Sequence, residues 1–286
     1  MAKVQLFVIG VALAGALLVG TIIFPYSFNE PTNTKIGVVV TILPQAEFVE
    51  KVGGDKVEVT VMVQPGASPH SYEPTPSQMV EVSKAKMYAK VGSGVEFELA
   101  WMDRIIEQNK AMLVVDCSQG ITTVANDPHI WNSPVNAKKM VGNICAGLVK
   151  VDPGNEDYYT ENMNRYLGEL DALDMYVREK FANLTNRVFM IYHPAFGYLA
   201  REYDLTELAI QHEGKTPTPR VIEDCIDLAE QYDLSYVFVA PQLATEHAET
   251  IAHEIGAKVL FLDPLPREYA ANMRTVADLL ALEMEQ

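Results

Sequence analysis

From residue 36 onward, short apolar runs rich in β-branched residues alternate with longer stretches whose apolar positions recur every three or four residues. The short runs predict strands at 36–42, 57–63, 87–91, 111–116, 187–192, 207–210, 235–240 and 258–262. Between them the longer spacing predicts helices at 45–52, 76–85, 95–109, 135–149, from 195, at 219–232, 244–255 and 267–284. Strand and helix in regular alternation imply parallel βα units rather than a sandwich. The fold class expected is therefore α/β.

One stretch breaks the rhythm. Residues 155–184 contain no proline and a single glycine, and Tyr159, Met163, Tyr166, Leu167, Leu170, Leu173, Val177 and Phe181 fall at helical intervals. A continuous helix of that length is about 40 Å long, enough to run the length of a two-lobed molecule. Asp152-Pro153 supplies a start signal ahead of it. The sequence after it repeats the strand and helix pattern before it in outline. Two lobes of parallel sheet are thus expected, an N-terminal one at 36–152 and a C-terminal one at 185–286, joined by a rigid helix at 153–184. A long crossover inside one domain is the plainer alternative.

Residues 4–24 form an uncharged apolar run behind Lys3, about the 20 residues that a bilayer span needs. This run reads as an N-terminal membrane anchor, with a cleaved signal peptide as the second reading, and residues 25–35, rich in Pro, Asn and Thr, as a tether. No cysteine follows it for lipid attachment. On either reading the remaining chain works outside the cytoplasmic membrane. The 286 residues carry a formal net charge of -16 with 22 basic against 38 acidic side chains, so no basic stripe exists to neutralise nucleic-acid phosphates. That acidity serves solubility first and concentrates cations second. Three cysteines without C-x-x-C spacing indicate neither a zinc knuckle nor a disulfide framework. Cys145 and Cys225 read as buried thiols, with a Cys117 to Cys145 bridge as the alternative.

The candidate chemistry lies at strand exits, where ligands collect in an open α/β sheet. His193 leaves the apolar run 188–191 and is followed by Pro194. His70 ends the loop Gln64-Pro65-Gly66-Ala67-Ser68-Pro69-His70, His129 stands in Asn126-Asp127-Pro128-His129-Ile130-Trp131, and Asp263 precedes Pro264 after the last strand. Three imidazoles and one carboxylate, two ligands from each lobe, make a shell suited to zinc or a related divalent ion held between the lobes. Four protein ligands close a tetrahedral site, which favours holding an ion over catalysis. Tyr72, Trp131, Tyr192 and Tyr198 flank these residues and are expected to line or shield the crevice, ordinary core packing being equally open for each. His247 and His253 read as solvated surface, and His212 as a minor candidate ligand. Glu73, three residues after His70, is a potential general base for a hydrolase, although a capping or supporting carboxylate is the plainer reading.

Pro69-His70-Ser71-Tyr72-Glu73-Pro74-Thr75-Pro76, Asp127-Pro128-His129-Ile130-Trp131, Tyr192-His193-Pro194-Ala195-Phe196-Gly197-Tyr198 and Asp263-Pro264-Leu265 together resemble the zinc/manganese solute-binding proteins of ABC importers, the ZnuA/TroA-like family. The likeness runs from residue 36 to the C-terminus and includes the long helix. It implies metal ligands at His70, His129, His193 and Asp263, and a monomeric receptor that hands a divalent transition metal to an ABC permease with its cytoplasmic ATPase, without a reaction of its own. The histidine-rich loop of many zinc-specific members is missing, since residues 119–126 hold no histidine. His193, where the manganese subgroup carries glutamate, leans the cargo toward Zn2+, ahead of Mn2+ or Fe2+. The competing functions are a zinc-dependent hydrolase using Glu73 and a metal-dependent surface adhesin.

Overall fold

The two sheets repeat one topology. In the N-terminal half, β1 (Ile36–Val40), β2 (Val57–Val61), β3 (Met87–Lys90) and β4 (Leu113–Asp116) form a parallel sheet in the order β2-β1-β3-β4. In the C-terminal half, β5 (Val188–Ile191), β6 (Thr206–Ala209), β7 (Tyr236–Val239) and β8 (Lys258–Phe261) form a second parallel sheet in the order β6-β5-β7-β8. The computed structural model describes residues 35–124, 126–211 and 215–284. The apolar run 4–24, the tether up to residue 34 and His212 lie outside them.

Helices α1 (Leu43–Gly53), α2 (Pro76–Lys84), α3 (Glu96–Gln108) and α4 (Pro134–Val151) cover the first sheet. Three of the four start on a recognisable signal. Thr75 caps α2 by accepting from Gln78 N, Ser133 caps α4 by accepting from Asn136 N, and a proline sits in the first turn of α1, α2 and α4. Gly54, at φ +54°, ends α1, and a side chain there would collide with the Tyr158 hydroxyl.

The long helix is real: α5 spans Glu156–Phe181, 26 residues, directly after a 3-10 turn at Pro153–Asn155. Tyr159, Asn162, Tyr166, Leu170, Leu173, Val177 and Phe181 form its buried stripe. That stripe packs on α1, α4 and α9 (Tyr269–Met284). One apolar core therefore runs from the N-terminal lobe through α5 and α9 to Phe189, Ile191 and Phe238 on one face of the second sheet. On the other face Val188, Met190, Val237 and Val239 pack against α7 (Pro219–Gln231) and α8 (Glu246–Glu254). Alternate residues of β5 thus serve two cores, which is why its four residues are all buried and apolar.

Differences from the expected elements are confined to their ends. Helix α6 (Gly197–Glu202) begins two residues later than expected: Phe196 is its non-helical N-cap residue, and its amide, which has no acceptor within the helix, donates to Glu207 Oε1 (2.9 Å). The three cysteines are free and buried, so no Cys117 to Cys145 bridge forms. Among the described residues no helix is long and apolar enough to cross a membrane.

Candidate metal centre

His193 sits directly beyond β5, the strand from which β6 and β7 diverge, so it occupies the switch point of the second sheet. The ladder continues past the strand end: Gln211 N donates to Tyr192 O (2.7 Å) and Tyr192 N to Phe238 O (2.8 Å). This extension carries the Gln211 side chain to His193, whose Nδ1 lies 2.9 Å from Gln211 Oε1. His129 is shaped locally. Asp127 Oδ1 accepts from both the backbone amide and Nδ1 of His129, each at 3.0 Å. His70 arrives on the loop after β2, with its Nδ1 2.9 Å from Glu96 Oε1 at the start of α3.

The three rings meet through their other nitrogens. His193 Nε2 lies 3.2 Å from His70 Nε2 and 3.4 Å from His129 Nε2. Because each Nδ1 faces an oxygen acceptor, each ring carries its proton there and turns an Nε2 lone pair inward. Three converging lone pairs with no donor between them repel one another unless a cation intervenes. Zinc–imidazole bonds of about 2.0–2.1 Å on tetrahedral directions set ligand nitrogens about 3.3–3.4 Å apart, so the observed spacing fits such an ion. The supporting oxygens are those that orient metal-bound imidazoles in general.

Surroundings reinforce the geometry. Val95, Pro128, Trp131, Leu243 and Leu265 share the walls of the crevice with the histidines, and His129 is buried. Burial, followed by the facing His129 and His70 rings, pushes the His193 pKa from 6.5 down to about 4, which keeps its lone pair available in acid. The hydrogen bond from His70 lowers the Glu96 carboxyl below its usual range. Rivets across the lobes fix the His129 segment: Trp131 Nε1 donates to Pro264 O (2.6 Å), Asn132 Nδ2 to Ala195 O (2.9 Å) and Tyr198 Oη to Asp127 O (3.1 Å).

The structure brings His70, His129 and His193 together, and among the described residues they form the cluster able to hold a metal. Asp263 does not join that cluster. Its Oδ1 accepts from Gln242 Nε2 (2.8 Å) and Leu265 N (2.9 Å), and it lines a neighbouring groove with Gln64 and Arg267. Of the flanking aromatic residues, Trp131 lines the crevice. Tyr72 instead bonds Gln78, Tyr198 braces Asp127, and Tyr192 stacks on His247 at 6.3 Å. Glu73 is exposed and is not part of the crevice wall. Sequence reasoning passed over Glu96, Gln211 and Gln242, which reach the site from distant segments; only Asp127, two residues before His129, carried a local signal.

A family model described as zinc-uptake complex component A, periplasmic, matches residues 38–282. The chain belongs to this ZnuA family. A crystal structure of ZnuA superposes with a TM-score of 0.85 at 37% identity, over 87% of this chain and 99% of that one. The high-affinity zinc uptake system protein ZnuA of Bacillus subtilis is 30% identical over 252 residues, covering 81% of this chain and 79% of its own length. The iron-binding protein YfeA of Yersinia pestis is 28% identical over 259 residues, with 84% and 82% covered. Like the rest of the ZnuA family, the chain is a non-catalytic, extracytoplasmic metal-binding component of an ABC-type importer, which removes the hydrolase reading of Glu73.

Proposed function

We propose that the protein captures Zn2+ outside the membrane through His70, His129, His193 and Asp263 and hands it to the permease of an ATP-driven importer. The observation that carries this is the ring of three Nε2 atoms 3.2 and 3.4 Å apart, each backed by an acceptor on Nδ1. Imidazole-rich shells suit zinc, while manganese takes more oxygen, so zinc stands ahead of Mn2+ and Fe2+. Relatives named for zinc and for iron are consistent with one scaffold holding either ion. Asp263 belongs to the proposal because it is one hydrogen bond from the crevice, through Gln242, and supplies the negative charge that three neutral rings lack. Residues 4–24 would tether the chain at the membrane, and the mass of membrane-extracted protein distinguishes an intact anchor from a cleaved one.

Calorimetric titration tests the reading. One zinc per chain is expected, with a dissociation constant near nanomolar, or about -12 kcal/mol. Zinc should prevail in competition with manganese and ferrous iron. His70→Ala or His193→Ala should weaken binding at least a hundredfold; parent-like affinity in both variants sinks the assignment.

A further inference from the structure

Gln242 stands between the histidine crevice and the groove that holds Asp263, and it lines both. Its amide orientation is set by chemistry, since only Nε2 can face a carboxylate, and Nε2 donates to Asp263 Oδ1 at 2.8 Å. The amide oxygen is thereby turned away from Asp263, and Oε1 is buried without a hydrogen-bond partner. The same Asp263 oxygen also accepts from Leu265 N at 2.9 Å, two residues along the chain. Two donors on one oxygen hold the carboxylate outside the cluster that His70, His129 and His193 form.

We infer that Gln242 is a latch on the fourth coordination position: it restrains Asp263, and the bond between them must break before Asp263 completes the shell around the ion. This rests on the reading of Asp263 as the fourth ligand. With the latch open, Asp263 would supply a carboxylate oxygen as the fourth ligand, and the Gln242 amide would be released from it. The restraint acts as a conformational tax on affinity, because the competent state is a minor one until the ion arrives. Tight capture and timely release make opposite demands on a transport receptor. A latch meets both by letting the site revert to three imidazoles when Gln242 recaptures Asp263.

The test uses the full chain and Zn2+ itself, with affinity by competition against a chelating dye, release by stopped flow, and Co2+ absorption as a report on coordination. Gln242→Met keeps the side-chain length and removes the donor. It should tighten zinc binding about tenfold, equivalent to about 1.4 kcal/mol, with slower release. Asp263→Asn should weaken binding, and Gln242→Met added to it should bring no gain, so the two effects are not additive. The Co2+ spectra of the loaded parent and of Gln242→Met should both show the closed four-coordinate form, and that form should be absent from Asp263→Asn and from the double variant. Gln242→Ala provides a second removal of the donor, and a thermal melt of each metal-free variant checks folding. Parent-like or weaker zinc binding in folded Gln242→Met and Gln242→Ala overturns the latch. If instead Asp263→Asn binds zinc like the parent while His70→Ala does not, the fourth-ligand reading fails and takes the latch with it, leaving the three-histidine site standing.

Discussion

Acidifying the metal-free protein should cost it stability through His193, in an amount that follows from its surroundings. Burial and the two facing imidazoles hold its pKa at about 4, against 6.5 for the free side chain. A histidine depressed in the fold is kept neutral there while the unfolded chain takes up a proton. Its contribution is therefore fully present above pH 6.5 and is lost as the pH falls toward 4. At 1.36 kcal/mol per pH unit the whole effect is bounded at about 3.4 kcal/mol. Between pH 7.5 and 4.5, where unfolded His193 is almost wholly protonated and the folded ring about one quarter so, it amounts to about 2.5 kcal/mol. The raw pH dependence of stability does not reveal this, because Glu207 and Glu283, both raised to about 7 by burial, act in the opposite sense. Comparison with His193→Gln isolates the term. Urea unfolding of both metal-free proteins at pH 7.5 and 4.5 should show the parent losing about 2–3 kcal/mol more than the variant on acidification. Parallel pH dependences in the two proteins would show that His193 is not held neutral by burial and its neighbours.

Two other substitutions probe the supports. Glu207 is buried beside Asp127, and because its folded pKa exceeds the unfolded value, its cost is absent below about pH 4.5 and complete above about pH 7. Glu207→Gln keeps an acceptor for the Phe196 amide, so it should raise stability by about 1–3 kcal/mol at pH 8 and leave it unchanged at pH 4.5, read from thermal melts; an equal change at both pH values contradicts the mechanism. Asp127→Asn removes the charge that orients His129 and should weaken zinc binding about 10- to 100-fold with the melt of the metal-free protein nearly unchanged. Undiminished affinity would mean that the interlobe bonds of Trp131 and Asn132 alone position the ring.

The fold was legible because its signals are local. Strand β5 reads as four buried apolar residues, α5 as a stripe at intervals of three and four, and Thr75, Ser133 and the prolines mark where helices start. His70, His129 and His193 were legible for a related reason: each leaves its strand beside proline-braced chain, and parallel topology brings strand exits to one edge. What escaped depends on side chains that meet only after folding. Glu96 is 26 positions from His70, Gln211 is 18 from His193, and no spacing connects either pair. Asp263 illustrates the limit from the other side. Its position after the last strand, and the motif around it, point to a ligand, yet where its carboxylate rests is decided by Gln242 on the loop after β7 and by the amide of Leu265. A motif specifies which residue can reach an ion. On the reading proposed above, whether Asp263 does so depends on the donors that hold its carboxylate, and those belong to the folded molecule.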